Sequence, residues 1–383
     1  MAHSRRTIVS MLVTLIAMLI GSAPAALAAG TWGPRVNIAQ GTGVLSDAAV
    51  LEDAAYRGQR VAVGWSTPLS GEGDTVRVRR SGNGGSTFGA TTVVRSHARQ
   101  ASFAWCSDGT LVSAFAHYHD GPGAWVIDLW GMPGGARSIS TGPGTPRWPD
   151  IVCPGPSQVA WVAWVAGGQA HLARATTTDP GLPTTMVVGP VDSAQYGPVL
   201  ARSGDGVLVA WAAPSGDIMG RLATPAGGIT LGSPFVIGDG SLAHRASFPR
   251  IDSSGSRIVV AWERCDIRAR VSSNGGATWA PERRLTTLGC DVADVYLFPR
   301  SVGVRGTKLA VVYAIGGFGG GEERLVQSSD NLAHRTNRRL AGELDEVAIG
   351  YTEVSGNRRL AVTYDSGRNI RFRRCSAATC GGF

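Results

Sequence analysis

Apolar runs that close on an aromatic residue recur along this chain. They are Val61-Ala62-Val63-Gly64-Trp65, Val112-Ser113-Ala114-Phe115, Trp161-Val162-Ala163-Trp164, Leu208-Val209-Ala210-Trp211, Val259-Val260-Ala261-Trp262, Ala310-Val311-Val312-Tyr313 and Ala361-Val362-Thr363-Tyr364. The closing aromatics lie 50, 49, 47, 51, 51 and 51 residues apart. A continuously apolar run without period-two alternation predicts a strand covered on both faces. Each run follows a glycine (Gly58, Gly109, Gly155, Gly206, Gly255, Gly306, Gly356), and before that turn lies another apolar segment, in four units opened by Pro149, Pro198, Pro249 or Pro299. After the aromatic come a variable loop and a more polar strand, as in Thr75-Val76-Arg77-Val78-Arg79 and Asp266-Ile267-Arg268-Ala269-Arg270; a fourth strand, as in Thr91–Val94 or Arg283–Leu285, completes the unit. About fifty residues in four antiparallel strands is the size of one propeller blade.

The pattern therefore predicts an all-β chain: a seven-bladed β-propeller of four-stranded antiparallel blades, with a six-bladed ring as the alternative. The last unit stops after its third strand, near Arg371–Arg374. The segment Thr31-Trp32-Gly33-Pro34-Arg35-Val36 resembles the start of a fourth strand, Thr278-Trp279-Ala280-Pro281-Glu282-Arg283. The N-terminal strand is thus expected to close the last blade, which removes exposed sheet edges.

Composition narrows the picture. Of 383 residues 43% are hydrophobic, which excludes a disordered chain, and the 53 glycines have no collagen-like period and suit tight turns. The formal charge is +8, but the arginines are scattered and Lys308 is the sole lysine, so the basic clusters of nucleic-acid binders are missing. Residues 1–28 have the pattern of a signal peptide: Arg5 and Arg6, an apolar stretch from Ile8 to Ile20, and a small-x-small site at Ala26-Leu27-Ala28. Both the general secretory and the twin-arginine routes fit it. The mature chain, residues 29–383, is expected to be one propeller domain, monomeric and extracellular. No second apolar run reaches 18 residues, so no membrane segment is expected after cleavage.

Two turns carry a motif. Ser272-Ser273-Asn274-Gly275-Gly276-Ala277-Thr278-Trp279 and Ser81-Gly82-Asn83-Gly84-Gly85-Ser86-Thr87-Phe88 follow S-x-D-x-G-x-T-W with Asn at the Asp place, and Ser328-Ser329-Asp330-Asn331 is a partial third copy. The Asx side chain can accept main-chain N–H bonds inside the turn, and Gly supplies the left-handed position. At these residues the chain resembles the sialidase-like, Asp-box (BNR-repeat) propellers. The resemblance implies that Ser81, Asn83, Gly85, Thr87, Phe88, Ser272, Asn274, Gly276, Thr278 and Trp279 are structural and lie away from any active site.

The catalytic pattern of that family is absent. The first blade has Asp47-Ala48-Ala49-Val50-Leu51-Glu52 and no arginine; Phe248-Pro249-Arg250-Ile251 has similar letters in the wrong blade; and no tyrosine stands between Glu346 and Gly350, where the nucleophile would be expected. By topology, the loops entering strand one and leaving strand two share one face around the channel. Ligand-binding candidates there are Arg147, Trp148, Tyr196, Arg245, Arg250, Arg300 and Glu346. Arg250 and Arg300, each after a proline, can alternatively pair with acids and staple blades. Mixed arginine, carboxylate and aromatic groups suit a glycan or other polar extracellular ligand. The leading expectation is a secreted, non-catalytic recognition module. The alternatives are a glycoside hydrolase using Glu263, Asp365, Asp294 or Tyr296 as acid, base or nucleophile, and a protein-interaction scaffold. His117-Tyr118-His119-Asp120 reads as a solvated loop rather than a metal site, and no metal or other cofactor is expected. The even cysteine count suits an oxidising compartment. The repeat pairs Cys106 with Cys153, Cys265 with Cys290, and Cys375 with Cys380.

Overall fold

The computed structural model describes residues 31–380 apart from the segments 41–49, 70–72, 120–122, 133–135, 141–143, 155–158, 177–182, 193–196, 227, 241–243, 287–294, 317–321, 341–346, 366–368 and 378–379. The expected signal peptide lies outside the described residues. Seven antiparallel sheets follow one another, each made of strands consecutive in sequence except the last. The seven sheets exclude the six-bladed alternative, and no helix occurs among the described residues.

The innermost strands of blades 1 to 7 are Val50–Arg57, Ala98–Trp105, Arg147–Val152, Val199–Ser203, Ser247–Ser254, the pair Val295–Tyr296 and Val302–Arg305, and Val347–Val354. The apolar runs form the second strands. In blade 3 every residue of Val159–Ala166 is buried, because neighbouring blades cover both faces. All seven closing aromatics, Trp65, Phe115, Trp164, Trp211, Trp262, Tyr313 and Tyr364, are buried between blades. The seventh sheet runs from Val36–Gln40 through Asn369–Arg374 and Asn357–Asp365 to Val347–Val354, so the N-terminal strand is the outer strand of the last blade. Trp32 adds an isolated bridge to Cys375.

The turn motif is built alike three times. Ser81 Oγ accepts the Gly85 N–H at 2.9 Å, and Asn83 Oδ1 accepts the Thr87 N–H at 3.0 Å. Ser272 and Asn274 do the same for Gly276 and Thr278, and Ser328 and Asp330 for Leu332 and His334. The aromatic after the turn packs inward: Phe88 meets Phe372 edge-to-face at 5.4 Å, and Trp279 packs on the core between blades 4 and 5.

Third-strand arginines account for part of the basic charge. Arg79, Arg221 and Arg270 each donate Nε–H to a carbonyl in their own blade (Gly89, Gly232, Ala280). Each also donates from Nη1 to the outer strand of the preceding blade, at Ile38, Val188 and Ile237, over 2.8 to 3.0 Å. Hydrogen bonds from a charged donor are stronger than neutral ones, so these residues act as joints. The cysteine pairing follows the repeat where it is described. Cys106 and Cys153, at the ends of adjacent inner strands, are at disulfide distance with Cα atoms 4.8 Å apart, and Cys375 and Cys380 form a second such pair. Cys265 is also oxidised, and Cys290 lies outside the described residues.

Candidate functional site: the channel mouth

The inner strands are irregular at one end. Register shifts interrupt their pairing between Leu51 and Asp53, Arg99 and Ser102, Arg147 and Asp150, and Ser247 and Arg250. Within these bulges Gln100, Trp148 and Phe248 have φ of 56°, 51° and 50°. A bulky residue held at positive φ costs about 1–3 kcal/mol, and such strain clusters at functional sites. The bulges re-aim side chains towards the axis. Together they surround a cavity of about 390 Å³ at the channel mouth, lined by Glu52, Asp53, Gln100, Ser102, Trp148, Asp150, Arg250 and Arg300 among others. Pro149, Pro198 and Pro299 also line it, three of the prolines that mark the repeat.

Arg300 is the floor. It reaches from blade 6 across the channel and donates Nε–H to Asp53 Oδ1 at 2.9 Å and Nη2–H to Asp150 Oδ1 at 3.0 Å. Nη2 also bonds Ser102 Oγ at 3.0 Å, and that hydroxyl lies 2.9 Å from Asp150 Oδ1. Burial works against the Arg300 charge, but Asp53 and Asp150 outweigh it and strengthen the base. Burial raises the Asp53 carboxyl even against the pull of Arg300. The four channel carboxylates also hold main-chain N–H groups of the next blade. Glu52 takes Ala101 at 3.0 Å, Asp53 takes Phe103 at 2.6 Å, Asp150 takes Leu200 at 2.7 Å and Asp252 takes Val304 at 2.7 Å. Desolvation pushes Glu52 up to about 7 and Asp252 to about 6.

The residues singled out from sequence fall into three groups. Trp148, Arg250 and Arg300 line the one cavity, and Arg147 stacks its guanidinium 4.6 Å from the Trp148 ring centroid. Arg250 is buried and donates to the carbonyls of Phe298, Leu297 and Pro249, so it staples blade 5 to blade 6 through carbonyls. Glu263 accepts the Leu297 N–H at 2.5 Å. Arg245 pairs with Asp192, Tyr296 sits half-buried on a two-residue strand, and Asp365 is buried at the end of its strand. Tyr196, Asp294 and Glu346 lie outside the described residues. Glu52, Asp53, Gln100 and Ser102 were not anticipated. The signal was present: Glu52-Asp53 occupies the repeat position of Pro149-Asp150 and Pro299-Arg300.

The His-x-His reading needs correction. His117 and His119 stand on the strand Leu111–His119, and His117 is buried rather than in a solvated loop. Alternate residues of a strand share a face, so both imidazoles meet Asp128 on the next strand, at 2.9 and 3.6 Å. Arg95 Nε donates to His117 Nε2 at 3.2 Å, which makes Nδ1 the protonated nitrogen facing Asp128. Burial and Arg95 both lower the His117 pKa. These three side chains are close enough to hold a cation; among the described residues they form a hydrogen-bond network with Arg95 on the far nitrogen of His117. Nearby, Arg99 covers Trp125 at 4.1 Å, and Trp125 contacts the exposed Tyr118 at 5.6 Å between centroids.

No family model matches the sequence, and no curated protein matches it. Solved structures match the fold. The β-propeller domain of the Trilobed protease from Pyrococcus furiosus aligns with a TM-score of 0.52 at 12% identity, over 87% of this chain and 95% of that one. The WD40 domain of Toxoplasma gondii coronin gives 0.52 at 10%, over 91% and 88%, and the phage phi92 endosialidase gives 0.50 at 9%, over 91% and 69%. These likenesses show a β-propeller and nothing finer. The sialidase among them shares the scaffold with proteins of other kinds.

Proposed function

We propose that this protein is a secreted recognition module that binds a glycan at the channel mouth without turning it over. The observation that carries the reading is the arginine-capped Trp148 beside a 390 Å³ cavity with a polar floor of Gln100, Ser102, Asp150 and Arg300. Sugars present apolar C–H faces that suit aromatic rings and hydroxyls that need a few fixed polar groups. The second arginine-capped tryptophan, Trp125, lies at the start of a third strand on the same face. Absence of turnover is supported by the carboxylates: among the described residues Glu52, Asp53, Asp150 and Asp252 each already hold a main-chain N–H group. Secretion is supported by the N-terminal pattern and the paired cysteines.

A glycan array probed with the purified protein tests this. Retained binding that falls about tenfold or more in Trp148→Ala, worth about 1.4 kcal/mol, is the expected result, and no binding to any glycan ends the reading. A hydrolase is the second reading, favoured by one observation: Glu52 lines the same cavity with its carboxyl pushed up to about 7, suited to a general acid. Turnover of chromogenic glycosides that vanishes in Glu52→Gln would replace recognition by hydrolysis. Silence in both assays would leave a protein-interaction scaffold.

A further inference from the structure

Beyond Arg300 the channel opens into a second chamber of about 280 Å³, on the face of the strand one–two hairpins. Arg57 from blade 1 and Arg202 from blade 4 converge there from opposite sides of the ring. Both donate to one acceptor, the carbonyl oxygen of Trp105, from Nη1 at 3.0 Å and Nη2 at 3.1 Å. Two nitrogens bonded to the same oxygen are no more than 6.1 Å apart. Neither guanidinium forms an ion pair among the described residues. Their basicity reflects the crowding: Arg202 is lowered to about 10 by burial and then by Arg57, and Arg57 is lowered by burial and then by Arg60.

Asp252 lines the chamber too; its two oxygens accept the Ser253 and Val304 N–H groups at 2.7 Å each, and its charge acts on Arg202 from that side. Outside, Arg57, Arg60 and Arg305 line a cleft at this end, the last paired with Glu353.

We propose that this chamber binds a small oxyanion, a phosphate or sulfate group, held by the Arg57 and Arg202 guanidiniums. Planar guanidiniums donate in pairs to tetrahedral oxyanions. The chamber has room for such a group plus about one sugar ring, so the natural ligand is a phosphate or sulfate monoester of that size. The site is distinct from the glycan mouth, from which Arg300 separates it.

Titration calorimetry and thermal melting with inorganic phosphate, sulfate and chloride at matched ionic strength and pH 7 test the proposal. Phosphate and sulfate are expected to bind saturably and raise the melting temperature above the chloride control. The stronger of the two identifies the ester. Arg202→Gln and Arg57→Gln should each weaken binding about tenfold or more, while Arg339→Gln, on the outer strand of blade 6, leaves it unchanged. Arg202→Lys keeps a positive charge in the chamber without the planar fork; it should also bind more weakly than wild type, and it serves if a glutamine variant fails to fold. Equal responses to all three anions, or phosphate binding unchanged in whichever Arg57 and Arg202 variants fold, would overturn it.

Discussion

Replacing Arg300 by Met should cost about 3 kcal/mol and make stability depend on pH in a defined direction. The guanidinium pairs with Asp53 and Asp150, whose side chains are 3% and 13% exposed, and it is itself 21% exposed. Removing one partner of a buried ion pair costs about 3–5 kcal/mol. The lower end applies because both carboxylates keep main-chain donors: Ala54 and Phe103 on Asp53, Ile151 and Leu200 on Asp150. At about 2 °C per kcal/mol, the low end of the scale for larger domains, the melting temperature falls by about 6 °C. Burial already raises the Asp53 carboxyl with Arg300 present, and its loss raises it further. A carboxyl raised in the folded state binds more protons there than when unfolded, so stability falls as pH rises from its unfolded pKa to its folded one. The deficit of Arg300→Met should therefore be largest near pH 8 and shrink towards pH 4. Urea unfolding at four pH values reads it directly. Adding Asp53→Asn and Asp150→Asn to the variant should recover much of the loss, since the orphaned charges are then gone. A deficit below 1 kcal/mol, or one that does not change with pH, would refute the view of Arg300 as the counter-charge of the channel.

Glu52→Gln should flatten a second pH dependence: with its folded pKa near 7 against 4.5 unfolded, wild-type stability declines by up to about 3 kcal/mol as pH rises through that window, visible in melts from pH 4 to 8. Cys153→Ser should cost about 4 kcal/mol by loop entropy for a separation of 47 residues, read by calorimetry, and reductant added to the wild type should cost at least as much because it opens the other bonds as well. Two equivalent glycines should differ under alanine substitution. Gly85 has φ +83° and a Cβ there would lie 2.2 Å from the Phe372 ring, whereas Gly276 at φ +89° has its nearest atom 3.5 Å away. Gly85→Ala should lose about 2–4 kcal/mol and Gly276→Ala only about 1–2 kcal/mol in denaturant titrations.

The repeat was legible because its marker is a buried aromatic, and an aromatic wedged between blades leaves little room for substitution. The closing strand was legible for a similar reason, since Trp32 stands in its segment where Trp279 stands in blade 5. Less was legible where the backbone departs from regular strand. In blade 4 the left-handed turn residue is Gly204 at φ +58° rather than Gly206, which instead begins the second strand where a Cβ would meet the Ala223 carbonyl at 2.0 Å. The mouth bulges shift register by a residue or more, so counting along the strand does not reveal that the adjacent Glu52 and Asp53 both line the same cavity. Arg300 has charge partners about 150 and 250 residues away in sequence, and such pairs follow only from closing the ring. The third-strand arginines looked like a scattered solvated charge because their acceptors are carbonyls, which carry no sequence signature.

The outer strand of the last blade has a kinetic consequence. Val36 pairs with Phe372 and Gln40 with Asn369, so these partners are separated by nearly the whole chain. Contacts of such long range form slowly, because the intervening chain must be ordered first. During synthesis the segment Val36–Gln40 is made early and waits, unpaired, until blade 7 emerges. An unpaired strand of this kind can join the wrong blade or another molecule. Ring closure is therefore expected to be the late, concentration-sensitive step of refolding, and a circular permutant with Val36–Gln40 joined after Arg374 should refold faster to the same propeller.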